Sequence, residues 1–238
     1  MTSLTTTRPT TGTTDEERIE RIRQAAYRIR RNALDMGEVQ GQGYIGQALG
    51  VADVLAVVYT DQLRYRPEDP HWPDRDRFLL SIGHYAIALY AALAEAGTIP
   101  VEELETYGSD DSRLPMSAMA CAHHGLDNVT AIVDVNALQA DGPTAGVLRT
   151  EPVTDKWRAF GWHALRVDGN DVAALVDALD ELRAHRGSPG VLICDTRIGC
   201  GVPLLEGREK AHFMRIEENE WQTCREQLTA GYEGKASA

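Results

Sequence analysis

No apolar run in the sequence approaches the ~20 residues that a membrane-spanning helix needs, and the opening MTSLTTTRPTTGTTD carries no hydrophobic secretion segment. Both absences point to the cytoplasm, with residues 1–14 as a disordered tail before a single domain over 15–238. Basic residues are in deficit. The 24 Lys and Arg against 36 Asp and Glu leave a net charge of -12, which disfavours an extended electrostatic footprint for nucleic acid. An anionic cofactor therefore needs local donors or a bridging cation. Cysteine is sparse: Cys121, Cys194, Cys200 and Cys224 form no CxxC pair and no zinc spacing, so they read as small buried hydrophobes. No GxGxxG lies between a strand and a helix; GQGYIG precedes a helix but also follows one, which weakens a nicotinamide-dependent oxidoreductase reading.

What is present alternates. From Asp15 a helix opens with acidic residues, and Ile19, Ile22, Ala26, Ile29 and Leu34 recur at helical spacing between arginines whose face reads as solvated. A glycine-rich turn at Gly41, Gly43 and Gly46 then leads into an apolar helix from about Val51 to Leu63. RFLLSI (77–82) reads as a strand, followed by Gly83 and His84 and by a helix stopped at Gly97. A short helix is predicted around Ala118 to His124. TAIVDV (130–135) is a β-branched run of the kind a parallel sheet buries on both faces. DKWRAFG reads as a brief helix, HALRVDG as a strand, DVAALVDALDELRAH as an amphipathic helix, GVLICDTRIG as a strand, and Glu217 to Leu228 as a last helix. Strands alternating with helices predict an α/β, doubly wound, mostly parallel sheet flanked by helices.

Ligands of such sheets bind outside the strand ends. Three ends are candidates: Gly83-His84, Asn136 to Gly142, and Gly199-Cys200-Gly201. His84 is placed as a proton shuttle or a donor to phosphate, with a hydrogen-bonded structural residue as the alternative. The Asn136 amide oxygen and the carbonyls as far as Leu138 suit a hard cation such as Mg²⁺ or Ca²⁺, although Asn136 alone also fits an ordinary turn start. These oxygens make an incomplete octahedron that needs a carboxylate. Asp134, inside the strand, is set aside for that role.

DRFLLSIGHYAIALYAALAEAG, AHHGLDNVTAIVDVNALQADGP, DKWRAFGWHALRVDGND and CDTRIGCGVPLLEGREKAHF together resemble the amino-terminal subunit of a split transketolase, from about residue 25 onward. The resemblance implies a thiamine diphosphate-binding fold whose diphosphate-binding domain holds the cofactor through Mg²⁺ or Ca²⁺. It implies a separate C-terminal subunit carrying the pyrimidine-binding half, a heterotetramer or other symmetric assembly, and transfer of a two-carbon ketol unit from a ketose to an aldose, as sugars or sugar phosphates. Carried over by position, Asn136 ligates the metal by its side chain and Leu138 by its carbonyl. Gly83 and His84 match the family's S-x-G-H turn, whose histidine faces cofactor and substrate, and His212 in KAHF matches a later histidine that approaches the diphosphate.

Three departures stand out. Tyr44 occupies the place of a family histidine, and Cys200 replaces a lysine or similar residue. Between Ser117 and Ala118 the family has several tens more residues, holding a strand and the (G/S)DG motif that supplies the metal's aspartate. That loss raises a second expectation: a catalytically impaired or non-catalytic partner subunit.

Overall fold

The computed structural model describes residues 14–69, 72–109, 112, 114, 130–206, 208 and 212–236, the side chains of 235 and 236 excepted. The tail before Thr14, the junction of Ser117 with Ala118, the helix predicted around Ala118 to His124, and Cys121 lie outside the described residues.

The first helix, α1 (Asp15–Gln40), starts where its chemistry demands. Thr14 and Glu17 form a reciprocal capping box, Asp15, Glu16 and Glu17 sit in the first turn, and Gly41 ends the helix at φ 66°. Its arginines are not merely solvated. Arg18 and Arg21 reach the buried carboxylate of Asp61, Arg28 pairs with Glu95, and Arg30 is itself buried against Asp53. These side chains border the apolar stripe, so neighbouring elements meet them with carboxylates as α1 packs.

The next helix, α2 (Ile45–Val57), is buried along its whole length and widens into a π-helical turn over Val58–Gln62. It therefore begins six residues before the expected Val51. Gly46 and Gly50 lie inside it: a Cβ on Gly50 would sit 2.7 Å from the Arg197 carbonyl, so close packing needs that glycine, and the Gly46 carbonyl accepts from Gly199 N–H at 2.8 Å. Helix α3 (Ala86–Glu95) ends before Gly97 at φ 70°, as expected.

The sheet joins β1 (Thr130–Val135), β2 (His163–Asp168) and β3 (Gly190–Asp195) in the order β1-β3-β2, all parallel, with Thr130 and His163 both level with Gly190. β3 is central, and Val191 to Cys194 are fully enclosed. β1 is only half-buried, contrary to the expectation of a strand covered on both faces, because among the described residues it pairs with β3 alone. Residues 77–82 differ too: they form no ladder among the described residues. Their burial still alternates, with Phe78, Leu80 and Ile82 packed on the core and Leu79 exposed, so the sequence pattern is that of a strand without its neighbour.

Crossovers follow the expected plan. Helices α4 (Val153–Ala159) and α5 (Val172–Ala184) flank β2, with Asp171 capping α5 through its carboxylate. The last helix, α6 (Glu220–Ala236), starts three residues later and runs eight residues further than the expected segment, burying Trp221, Cys224 and Leu228 beside Leu34 and Leu49. Cys194, Cys200 and Cys224 are buried and free. Burial pushes the Cys224 thiol up to about 11, so it stays protonated at neutral pH. Among the described residues no helix is long and apolar enough to cross a membrane.

Candidate functional site

Side chains of a strand alternate, so Asp134 and Asn136 share one face of β1. The chain after His84 meets that face. Tyr85, buried, donates its hydroxyl to Asp134 Oδ2 at 2.6 Å and accepts from Asn136 Nδ2 at 2.8 Å, while Asn136 Nδ2 also reaches Asp134 Oδ2 at 3.1 Å. Thr196, the residue after β3, donates its hydroxyl to Asp134 Oδ1. Burial raises the Asp134 pKa above the usual carboxylate value, against the pull of these three donors. Burial also raises the Tyr85 phenol, with the Asp134 charge adding to it.

Asp134, set aside from sequence because it lies within a strand, is thus the centre of the cluster. Asn136 is placed at the strand end as expected, but its amide oxygen is not free: it accepts from Leu138 N–H at 3.1 Å and bends the chain. Ala137, between them, stands at φ 60°, a left-handed conformation that costs a non-glycine residue about 1–2 kcal/mol. Thr144 N–H holds the Ala137 carbonyl at 2.9 Å, and Leu138–Gln139 pairs with Gly142–Pro143 in a tight hairpin. Leu138 is half-buried against the cluster of Leu34, Ile45 and Leu49. Among the described residues no three His, Cys, Asp or Glu side chains are grouped to hold a metal ion.

A second set of groups meets one residue away. Gly83, His84 and Tyr85 form a single 3₁₀ turn. The two-residue ladder of Gln42–Gly43 with Met214–Arg215 sets Tyr44, at the start of α2, beside His212 and Phe213. Ring centroids lie 4.5 Å apart for Tyr44 and His84, 5.6 Å for His84 and His212, 5.7 Å for Tyr44 and His212, and 5.2 Å for Tyr44 and Phe213. His84 and His212 are half-buried and Phe213 is exposed. Burial, with the neighbouring His212, lowers the His84 pKa, so its imidazole is neutral at pH 7.

The structure therefore brings Gly83, His84 and His212 together and links them to Asn136 through Tyr85. The Gly199–Gly201 turn does not join them. Gly199 bonds Gly46, and the buried Cys200 offers its carbonyl to Arg30 Nε at 3.1 Å, so this turn belongs to the packing of α1 and α2. β3 reaches the site through Thr196 instead. Sequence reasoning missed Tyr85, Asp134, Thr196 and Gln47. The two-residue spacing of Asp134 and Asn136 placed both on one face of the strand but did not show the contact with Tyr85; Gln47, inside an apolar helix, gave no signal.

The sequence matches the family described as Transketolase, thiamine diphosphate binding domain, over residues 22–118 and 112–237. It is 50% identical over 265 residues to an uncharacterized transketolase family protein of Sinorhizobium fredii, covering 87% of this chain and 95% of the relative. It is 29% identical over 265 residues to a 6-deoxy-6-sulfo-D-fructose transketolase subunit of Clostridium sp. strain MSTE9, covering 88% of this chain and 96% of the relative. The fold matches the transketolase of Campylobacter jejuni with a TM-score of 0.78 at 22% identity, over 87% of this chain but only 42% of that one. The chain belongs to the transketolase family, as a form of its thiamine diphosphate-binding domain.

Proposed function

We propose that this chain is the N-terminal subunit of a split transketolase: a single diphosphate-binding domain over residues 15–238 that works with a separate C-terminal subunit to move a two-carbon ketol unit from a ketose to an aldose. The observation that carries the reading is the meeting of the His84 turn with the Asn136 strand end through Tyr85, in a chain that covers 95% of a transketolase family relative. A relative printed as a transketolase subunit, matched over 96% of its length, supports a partner chain.

The residues present fit thiamine diphosphate in part. Gly83, His84 and His212 line the place where its diphosphate would lie, and Asn136 with the Leu138 carbonyl would hold Mg²⁺ or Ca²⁺. When bound, the cofactor supplies an electron sink for a carbanion. His84, neutral at pH 7, is suited to take and return a proton there. The metal set is short of charge. It comprises two neutral oxygens, one of which is engaged by Leu138 N–H, whereas hard cations favour carboxylates.

That shortage supports a second reading, an impaired or non-catalytic partner subunit. The two stretches of the family match meet at residues 112–118, and the alignment with the Sinorhizobium relative spans more residues than the 238 of this chain. Both observations favour loss of the block that would carry the metal's aspartate. Co-purification of the chain with a transketolase C-terminal subunit, followed by a ketol-transfer assay with Mg²⁺ and thiamine diphosphate, separates the outcomes. Complex with turnover supports the enzyme, complex without turnover the impaired subunit, and absence of any complex contradicts both.

A further inference from the structure

Gln47 lies in the first turn of α2 and is 2% exposed. Its amide Nε2 donates to the backbone carbonyl of His212, which ties α2 to the segment that carries this histidine. Two buried side-chain atoms among the described residues have no hydrogen-bond partner, and they belong to these same two residues: Gln47 Oε1 and His212 Nδ1. Buried polar atoms that cannot reach water are normally paired. Here the natural partners are each other, because an amide oxygen only accepts and an imidazole nitrogen donates when it carries the proton.

The His212 carbonyl fixes which way the amide points. Were the amide reversed, Gln47 Oε1 would face that carbonyl, acceptor against acceptor. With Nε2 on the carbonyl, Oε1 remains for the ring, and among the described residues the other unpaired buried atom that could donate to it is His212 Nδ1. We propose that Gln47 is a positioning residue that holds His212 in the Nδ1–H tautomer, through a small rotation of the imidazole that closes the Oε1–Nδ1 pair. Nε2 then carries the lone pair. The neutral ring then meets a bound molecule at Nε2 as an acceptor, for a hydroxyl or an N–H, and donates there to a phosphate oxygen only when protonated. His84 and Tyr44, with centroids 5.6 Å and 5.7 Å from that of His212, share the same surface.

The tautomer is a property of the chain itself and does not depend on thiamine diphosphate or a partner. The full chain labelled with ¹⁵N-histidine, studied at pH 8 by two-bond ¹H–¹⁵N correlation, reports it, with His212 assigned by its loss in His212→Phe. The wild type is expected to show a protonated Nδ1 and an unprotonated Nε2, the reverse of the form that prevails for histidine in water. Gln47→Met, of similar length with neither donor nor amide acceptor, is expected to return His212 to the Nε2–H form. Gln47→Glu keeps the acceptor and is expected to retain a protonated Nδ1. An Nε2–H pattern in the wild type overturns the proposal without any substitution. So does a folded Gln47→Met protein whose His212 stays Nδ1–H.

Discussion

Two polar clusters lie at the carboxyl end of the same sheet and are built on opposite plans. In one, Arg30 forks onto Asp53 at 3.0 and 2.6 Å, and Asn170 Nδ2 reaches Asp53 at 3.1 Å and the Gly50 carbonyl at 2.7 Å. Asn170 Oδ1 in turn accepts from Arg197 N–H at 2.9 Å. Charge meets charge, and the set locks α1, α2 and the loops after β2 and β3 together. In the other, Asp134 is surrounded by Tyr85, Asn136 and Thr196, all neutral, and among the described residues no cationic side chain pairs with it. The first cluster is complete in itself. The second holds a carboxylate with a raised pKa three residues before a left-handed alanine at the end of a strand, a perturbed acid beside backbone strain, which together make it the candidate site.

Four substitutions test this contrast, the largest effect first. Asp53→Ala leaves the Arg30 guanidinium buried without its counter-ion and is expected to cost about 3–5 kcal/mol in urea unfolding. A loss under 1 kcal/mol would mean that the ion pair is not the scaffold lock. Asp134→Asn tests the uncompensated acid through pH. A carboxyl whose folded pKa is raised favours the folded state most when protonated, so its contribution is lost as pH rises from the reference value of 3.8 through the raised folded value. The stability of the wild type relative to Asp134→Asn should therefore increase on acidification across that window; a constant difference would refute the assignment.

Asn136→Ala removes the amide that bonds Tyr85, Asp134 and Leu138, and is expected to cost only about 1 kcal/mol, because its site is half-buried and at a strand end. It should nevertheless abolish any thiamine diphosphate binding the chain possesses, measured by calorimetry on the folded variant. Unchanged binding would remove Asn136 from the site. The smallest effect is expected at the imidazoles. His212→Asn takes away a neighbour that lowers the His84 pKa, leaving burial as the remaining cause, so an NMR titration should place His84 closer to 6.5 than in the wild type.

The same contrast explains what could be read from sequence. The start and stop of α1 and the stop of α3 were legible because their signals are local: Thr14 with Glu17, Gly41 and Gly97 act within a few residues. The three strands were legible too, TAIVDV as a β-branched run and GVLICD as an apolar one. The start of α2 was not, since Gly46 and Gly50 resemble turn residues until the fold brings the Arg197 carbonyl against Gly50 and the Gly199 N–H onto the Gly46 carbonyl. The strand pattern of 77–82 was read correctly as a pattern, but a ladder needs a neighbour, which no single segment reveals. Gly83, His84 and Asn136 were singled out because strand ends are where α/β sheets bind ligands. Tyr85 and Asp134 were not, because their roles arise from a contact across 49 positions of sequence.

We propose that this site keeps the histidine wall and the Asn136 limb of a thiamine diphosphate site, while among the described residues no group of His, Cys, Asp and Glu side chains is placed to hold its metal. Isothermal titration of the chain with thiamine diphosphate and Mg²⁺, beside the full-length Sinorhizobium relative and each with a C-terminal subunit, tests it most directly. Binding far weaker than in the relative, with little dependence on Mg²⁺, is the predicted result. Tight, Mg²⁺-dependent binding equal to that of the relative would contradict it.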